Sequence, residues 1–298
     1  MKVLGRYRNG NYQVTIFEDG TKIRVNNEDH FSPEYPESMD IKITNQCDMN
    51  CPFCHEDSRI DGKHGDILGA IFIDSLHPYT ELAIGGGNPL AHPRLKQFLQ
   101  KCKELKLIPS MTVNQKHFMD NFDEIKQLCD DKLIYGLGVS LSFPDEDFLE
   151  KIQLLPNAVI HIIAGTKSIR VIRRLGNRNL KILLLGYKHF RRGNNYFKKE
   201  YEKVRHHIRS LKVNLKEIIP LFQVVSFDNL AIEQLDVRKA IPEDQWDTFY
   251  MGDDGQFTMY VDMVNQEFAQ SSTSTTRYLM RDTIKEMFEV IRNGRLSS

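Results

Sequence analysis

The segment Cys47-Asp48-Met49-Asn50-Cys51-Pro52-Phe53-Cys54 places three of the chain's five cysteines within eight residues. Their spacing is C-x3-C-x2-C. Residues 39–44, directly before it, alternate apolar side chains with Asp40 and Lys42, which predicts a short strand. We therefore expect the three thiols on a loop that leaves the end of a strand. Three thiolates on one short loop suit a soft, thiophilic metal centre.

Two kinds of metal centre fit this cluster of cysteines. A structural zinc ion takes four ligands in a closed tetrahedron, usually from two paired knuckles, but Cys102 and Cys129 are isolated in the sequence. His55 would complete a Cys3His set, although its position directly after Cys54 makes tetrahedral closure awkward. A [4Fe–4S] cluster takes one ligand per iron, so three cysteines would leave one iron open for chemistry.

The spacing, the aromatic Phe53 before the third cysteine and the position after a first strand resemble the radical S-adenosylmethionine (radical SAM) superfamily. The resemblance implies that Cys47, Cys51 and Cys54 hold a [4Fe–4S] cluster whose fourth iron is chelated by SAM. It implies reductive cleavage of SAM to methionine and a 5′-deoxyadenosyl radical, which abstracts hydrogen from a substrate. It also places Phe53 near the adenine of SAM.

Composition excludes several classes of protein. The chain has 298 residues, enough for one large α/β domain or two smaller ones, and its 40 basic and 40 acidic residues balance. Such a chain has no global field that would favour nucleic acid or an anionic membrane. No signal-peptide core and no apolar run near ~20 residues is present. An odd cysteine count argues against a disulfide framework, so we expect a cytoplasmic protein.

The pattern divides the chain into three segments. Residues 1–38 contain two alternating runs around an Asp-Gly turn, which predicts a β-hairpin followed by a linker. Residues 39–225 alternate strand and helix, which is typical of a parallel sheet, and the resemblance implies a partial (β/α)6 barrel of the radical SAM type. Residues 226–298 predict a hairpin plus a helix. By resemblance, we expect this C-terminal extension to cover the mouth of the barrel.

The strand and helix assignments within 39–225 follow from hydrophobic periodicity. The predicted strands are 39–44, 81–85, 109–114, 134–142, 158–163, 180–186 and 217–225. The predicted helices are 66–76, 92–106, 119–131, 145–154, 167–175 and 196–213. In such sheets, ligands bind at the carboxyl ends of the strands, where the cysteine loop falls.

A second motif, Gly85-Gly86-Gly87-Asn88-Pro89, follows the second of these strands. Adjacent glycines at a strand end let the backbone approach a ligand closely, although a simple turn has the same composition. The motif resembles the Gly-Gly-Glu-Pro segment whose backbone binds the SAM amino group. The resemblance therefore assigns SAM binding to Gly86, Gly87, Asn88 and Pro89. Asn88 replaces the usual Glu, and it accepts a hydrogen bond without carrying a charge.

The strand 134–142 has one apolar face and one small, polar face that would leave room for a cofactor inside a barrel. The resemblance assigns Ser140 and Ser142, on the polar face, to the SAM carboxylate or ribose. Asn114, at the end of the preceding strand, is placed similarly. The alternative interpretation is an edge strand whose polar face meets solvent.

Three further side chains are candidates for catalysis. His161 shares a strand face with Val159 and Ile163, so it is either a structural residue or points into an active-site cavity. Lys188 begins a basic loop that would hold the SAM carboxylate or an anionic substrate, unless it is a solvated surface loop. Tyr260 lies in the predicted C-terminal hairpin, where it would contact substrate.

The partners follow from the expected chemistry. We expect a small polar metabolite or nucleotide as substrate, and a ribosomally made peptide as the alternative. A peptide would need an open edge strand, which the N-terminal hairpin would offer. Cleavage of SAM needs an electron donor such as flavodoxin or ferredoxin. The basic residues at 198–209 predict a solvated helix face, not a nucleic-acid site. A non-enzymatic zinc-binding interaction module is the alternative from another class.

Overall fold

A computed structural model describes residues 2–296. The N-terminal segment forms a small antiparallel sheet of three strands in the order β1-β2-β3. Its strands are β1 (Val3–Asn9), β2 (Tyr12–Phe17) and β3 (Lys22–Val25). The predicted hairpin is therefore present, and β1 adds a third strand to it. Gly20, in the turn between β2 and β3, has a φ of 87°, a conformation that glycine adopts without strain.

The remainder of the chain is built on one sheet of ten strands. Seven strands run parallel and lie side by side in chain order: β4 (Ser38–Thr44), β5 (Glu81–Gly86), β6 (Ile108–Asn114), β7 (Gly136–Ser140), β8 (Ala158–Ile163), β9 (Lys181–Leu185) and β10 (Val224–Phe227). On the other side of β4, an eighth strand, β11 (Thr258–Asp262), is also parallel to it. Strands β12 (Glu267–Ala269) and β13 (Tyr278–Leu279) follow antiparallel. The predicted α/β class and partial barrel are confirmed.

Helices connect the strands. They are α1 (Leu95–Glu104), α2 (Gln115–Asp120), α3 (Phe122–Asp130), α4 (Glu146–Gln153), α5 (Ile169–Leu175), α6 (Arg192–Lys199), α7 (Tyr201–Val213), α8 (Leu215–Ile218), α9 (Asn229–Gln234), α10 (Val237–Ala240), α11 (Glu243–Phe249) and α12 (Ile284–Leu296). Short 3₁₀ turns cover Ile71–Ser75, Pro89–Ala91 and Ile219–Leu221. Across the described residues, no helix combines the length and the apolar character that a membrane crossing requires.

The two faces of the parallel sheet differ in polarity. In β4, Met39, Ile41 and Ile43 are fully buried, whereas Asp40 lies on the opposite face and is exposed. Because side chains alternate along a strand, Asp40, Lys42 and Thr44 share the polar face, on which Asp40 is exposed whereas Lys42 and Thr44 are buried. Fully buried residues such as Ile160 of β8 continue the apolar face along the sheet in one hydrophobic core.

One predicted helix is wrong. The range 66–76 was expected to be helical, but only the 3₁₀ turn Ile71–Ser75 forms. The side chain of Asp66 accepts a hydrogen bond from the backbone N–H of Gly69 at 3.1 Å. This local bond offers the backbone an alternative to a helix, as short acidic side chains often do.

Two predicted boundaries also differ. The helix expected at 196–213 is two helices, α6 and α7, which meet at Glu200, where φ is −110°. The strand expected at 217–225 is confined to β10, because the preceding residues form α8, whose Leu215 and Ile218 are buried in the core.

The C-terminal segment contains the predicted hairpin, formed by β11 and β12. Its first strand, however, joins the main sheet, where Tyr260 lies opposite Asp40 and Asp262 lies opposite Lys42. The expected boundaries at residues 38 and 225 remain predictions.

The N-terminal sheet docks on the main sheet around one buried carboxylate, Glu37, just before β4. Arg24 donates to both of its oxygens at 2.8 and 3.0 Å, and the Lys22 ammonium lies 3.1 Å away. Tyr12 donates its hydroxyl to the same group at 2.6 Å, and Arg24 lies over the ring of Phe257. Burial opposes the charge on Glu37, but the bonds from Arg24 and the charge of Lys22 outweigh it and lower the pKa of this carboxyl.

We predict that Glu37→Gln lowers the free energy of unfolding by about 3 kcal/mol at pH 7, because it leaves buried cations without their counter-charge. The pKa of Glu37 is lower in the folded state, so its contribution is complete above pH 4.5 and is lost as the pH falls through the folded-state pKa. Urea unfolding at several pH values measures both effects. The control is Glu34→Gln, which changes an exposed carboxyl in the same segment. Equal stability of both variants would contradict the prediction.

Candidate active site

The cysteine loop begins where β4 ends, at the carboxyl edge of the parallel sheet. Its first residues are fixed by backbone hydrogen bonds, because Cys47 donates to the carbonyl of Arg59 at 2.8 Å and Arg59 donates to that of Asn45 at 3.0 Å. From the neighbouring strand, Gly87 donates to Thr44 at 2.8 Å. These bonds fix the backbone at the start of the loop. The side chains of Cys47, Cys51 and Cys54 remain partly exposed and can bind a ligand.

Cys47, Cys51 and Cys54 are all unoxidised and partly exposed. Burial raises the pKa of the Cys51 thiol, and the neighbouring thiolates of Cys54 and Cys47 raise it further. The three sulfurs therefore lie close enough to repel one another when charged. Three mutually repelling thiolates are stabilised by a positively charged centre between them, so the loop fits a metal cluster.

One group of donor side chains lies close together beside the cysteines. Among the described residues, single ligand atoms of Cys47, Asp48 and His117 all lie within 4.8 Å of one another. His117, on α2, lies 2.5 Å from the Asp48 carboxylate and holds this side of the loop.

His55, which was considered as a fourth zinc ligand, contacts other groups. Its Nε2 atom lies 3.3 Å from the carboxylate of Glu56 and 3.4 Å from the Lys188 ammonium. Burial and then the charge of Lys188 lower the pKa of this imidazole. The contacts place His55 between the cysteine loop and the loop that follows β9.

The glycine motif packs against the start of the cysteine loop. A Cβ atom on Gly87 would lie 2.1 Å from the carbonyl oxygen of Gln46, and Gly86 has a φ of 108°. The N–H groups of Gly87 and Asn88 donate to this segment, and the Asn88 side chain accepts from Leu90. The described contacts thus give the motif a structural role, and its assignment to the SAM amino group remains a prediction.

Gly85 differs from the two glycines that follow it. A Cβ atom there would meet no atom within 4 Å, so the strand end faces open space at this point. Pro89, at the other end of the motif, is buried at the start of a 3₁₀ turn. The open side of Gly85 is available to a ligand, and the sequence-based assignment did not include it.

The polar residues predicted on β6 and β7 lie together. Asn114 is the register partner of Ser140, and the Ser142 hydroxyl lies 3.5 Å from the Asn114 side chain. Asn114 also caps α2 by accepting a hydrogen bond from Lys116 at 2.9 Å. These three side chains therefore lie together, Asn114 is already engaged in a helix cap, and their assignment to SAM remains a prediction.

His161 lies on the inner face of β8, beside Ser140 in the register. Its ring occupies the space above Gly138, where a Cβ atom would approach it to 2.3 Å. Burial lowers the pKa of His161 to about 4, so the imidazole is neutral at pH 7. Gly138 of β7 thus makes room for this ring, and the expectation that the polar face of β7 meets a cofactor stays a prediction.

A buried ion network joins three distant segments. The Lys42 ammonium, on β4, lies 3.0 Å from Glu56 of the cysteine loop and 3.0 Å from Asp262 of β11. Burial opposes the charge on Glu56, but hydrogen bonds from His55 and the charge of Lys42 hold the pKa of this carboxyl well below its usual value. The carboxyl is therefore ionised and fixes the loop to both strands.

The two other catalytic candidates contact this network. Lys188 donates to the Ser272 hydroxyl at 2.8 Å and approaches His55. The Tyr260 hydroxyl donates to Glu56 at 3.4 Å, and the Arg277 guanidinium lies 4.9 Å from the centre of its ring. Both residues border the cysteine loop, so the structure brings them together, whereas their catalytic roles remain predictions.

The basic loop after β9 and helix α6 pack against the cysteine loop. Arg191 donates to the backbone carbonyl of Glu56 at 2.7 Å, and Arg192 donates to the Asn50 side chain at 2.6 Å. Phe53 makes an edge contact with the ring of Tyr196, at 5.7 Å between centroids. In this structure Phe53 thus contacts the helix, and its expected position near adenine is untested.

Sequence reasoning missed part of the site. Asp40 has an exposed carboxyl, yet burial raises its pKa, with Lys188 acting against that shift. Solvent reaches the Asp40 side chain although protein atoms surround it. We therefore infer that Asp40 lies in a recess of the interior, beside the cysteine loop. The sequence contains a signal for this residue, because Asp40 and Lys42 are two charges on the inward face of a strand in a parallel sheet. The sequence analysis interpreted that pattern only as evidence for the strand.

Comparisons with known proteins found similarity both in sequence and in structure. No family model matches the chain. The PqqA peptide cyclase of Gluconobacter oxydans (strain 621H) is 27% identical over 146 residues, which cover 46% of this chain and 39% of that protein. The chain thus spans less than half the length of this curated relative.

Solved structures share the fold. SuiB of Streptococcus suis bound to the precursor peptide SuiA has a TM-score of 0.59 at 15% identity, covering 89% of this chain and 68% of SuiB. SuiB bound to S-adenosylmethionine has a TM-score of 0.56 at 13% identity, covering 95% and 88%. These similarities show that the chain shares the fold of SuiB.

Proposed function

We propose that this protein is a radical SAM enzyme that modifies a peptide. The observation that carries the proposal is the loop of Cys47, Cys51 and Cys54 at the carboxyl end of β4, with three free thiols that interact with one another. Cys47, Cys51 and Cys54 would hold a [4Fe–4S] cluster and leave one iron for SAM. Bound there, the cluster and SAM supply a radical able to abstract hydrogen.

The protein's own contribution is to hold the loop and to shape the interior. The Lys42 network ties the loop to β4 and β11, which fixes the cysteines relative to the open strand ends. Inside, His161 offers a neutral imidazole and Asp40 an exposed carboxyl group, while the Lys188 ammonium lies beside His55 at the end of the cysteine loop. We propose these three groups as contacts for SAM or substrate.

Two observations support a peptide as substrate. The relative with 27% sequence identity is a peptide cyclase, and the structurally similar SuiB was solved with a precursor peptide. In this chain, β3 is an open edge of the N-terminal sheet, with Ile23 and Val25 exposed on it. An extended peptide can add to such an edge. A small polar metabolite, the first expectation from sequence, is compatible with the same interior.

The proposed chemistry needs one electron per cleavage of SAM, so we infer a protein electron donor of the flavodoxin or ferredoxin type. All five cysteines are free thiols, which fits a reducing compartment, and we propose the cytoplasm. An iron–sulfur cluster is equally suited to that environment.

We predict that Cys51→Ala lowers the iron and sulfide bound after anaerobic reconstitution to below half of the wild-type amount and abolishes SAM cleavage. The control is Cys129→Ala, which removes a half-buried thiol on α3 and should leave both quantities unchanged. Iron and sulfide analysis with detection of 5′-deoxyadenosine measures the outcome. One zinc per chain in the wild type, without iron, would instead support the zinc-module alternative.

The two glycines offer a matched pair of variants. Gly87→Ala should lower cluster content severalfold, because the new Cβ would collide with the Gln46 carbonyl that precedes Cys47. Gly85→Ala should retain the cluster, because the new methyl group enters open space, and should weaken SAM binding if that space receives the cofactor. Iron content and SAM affinity by equilibrium dialysis separate the two effects. Equal cluster content in the two variants would refute this account of the motif.

A further inference from the structure

Helices α6 and α7 carry a groove that the proposed chemistry does not use. It has a volume of about 680 Å³. We call it the α6–α7 groove, and the residues that line it are His189, Phe197, Tyr201, Arg205, Ile208, Arg209, Lys212, Val213 and Gln234. Phe197 makes edge contacts with the rings of His189 and Tyr201, at 4.2 and 5.2 Å between centroids. The floor is therefore aromatic, whereas the rim is basic.

The charge around this groove is one-sided. Residues 188–216 contain ten lysines and arginines but two acidic residues, in a chain whose 40 basic and 40 acidic residues balance overall. Lys203 and Lys212 have acidic neighbours, Glu200 and Asp236. Lys198 and Arg209 are exposed, and no ion pair to them is formed within residues 2–296. Such a concentration of like charge attracts an acidic partner and increases its rate of association.

The same helix connects the groove to the cysteine loop. Tyr196 touches Phe53, which lies between Cys51 and Cys54, and the next residue, Phe197, forms the floor of the groove. At the start of α6, a Cβ atom on Gly193 would lie 3.4 Å from the Phe53 carbonyl. A protein seated on the groove would thus be separated from the cysteine loop by one layer of side chains.

We propose that the basic face of α6 and α7 is the docking surface for an acidic electron-carrier protein that reduces the cluster. The inference rests on the proposed function and names the partner that its chemistry requires. In the step itself, one electron leaves the carrier's reduced flavin or iron–sulfur group and enters the cluster, and the carrier is oxidised by one electron. No bond between the proteins forms or breaks.

The position favours a carrier over the peptide substrate. A substrate must reach the interior face of the sheet, where Asp40 and His161 lie. The groove is instead lined by residues of α6, α7 and their neighbours, and neither Asp40 nor His161 lines it. A carrier needs proximity to the cluster and no access to the interior. Electron-transfer complexes are also typically small and transient, which suits a shallow aromatic groove with a charged rim.

The test compares two reductants of the same reconstituted full-length protein. Reduced flavodoxin must dock on the protein to transfer its electron. Dithionite is a small reductant that does not need the basic face of α6 and α7. The variant Arg205→Glu/Arg209→Glu reverses two exposed charges that line the groove, and the control Lys96→Glu/Lys285→Glu reverses two exposed charges on α1 and α12. Stopped-flow bleaching of the cluster gives the second-order rate constant at each ionic strength.

We expect the face variant to lower the rate constant with flavodoxin about tenfold at low ionic strength, and the control variant to change it less than twofold. The difference should shrink at high salt, where charges are screened. Reduction by dithionite should be equal in all three proteins. Flavodoxin rates that are the same in both variants, or a wild-type protein that only dithionite reduces, would overturn the docking proposal. A wild-type protein with no reducible cluster would overturn the proposed function itself.

Discussion

The buried ammonium of Lys42 is the constraint on which the site depends. Its side chain is 1% exposed, and an uncompensated charge at that depth would cost several kcal/mol. Glu56 and Asp262 each lie 3.0 Å away and satisfy it. One carboxylate belongs to the cysteine loop and the other to a strand more than 200 residues further along the chain. The ion network therefore joins β4, the loop and the C-terminal strand in the folded protein.

This constraint explains the place of the C-terminal segment. Strand β11 pairs with β4 in parallel, so Asp262 lies opposite Lys42 and Tyr260 lies opposite Asp40. The N-terminal sheet docks at the other end of the same two strands, around Glu37 and Phe257. Both ends of the chain thus support the first parallel strand, and the carboxyl end of that strand presents the cysteines.

The sequence predicts the features that depend on local pattern. Two-residue alternation located the parallel strands, the Asp-Gly turn located the first hairpin, and the spacing of Cys47, Cys51 and Cys54 indicated the metal chemistry. Features that depend on distant partners were not predictable in this way. Nothing near Lys42 in sequence indicates that Asp262 neutralises it, because a parallel pairing between a first and an eighth strand leaves no local signal.

The glycine motif and His161 illustrate the same limit. Glycines at a strand end indicate close approach of another group, but they do not identify it, and here the Gln46 carbonyl approaches Gly87. The small residues of β7 indicate free space, and the His161 ring from β8 occupies part of it. In both cases a small residue makes room for a neighbour, and tertiary packing sets which neighbour uses that room.

The most direct test of the central claim is an electron paramagnetic resonance spectrum of the wild-type protein. The sample is reconstituted anaerobically with iron and sulfide, reduced with dithionite, and measured with and without SAM. The account predicts a [4Fe–4S]⁺ signal that shifts when SAM is added, because SAM would bind the iron that Cys47, Cys51 and Cys54 leave open. A cluster whose signal is indifferent to SAM, or the absence of a cluster, would contradict it.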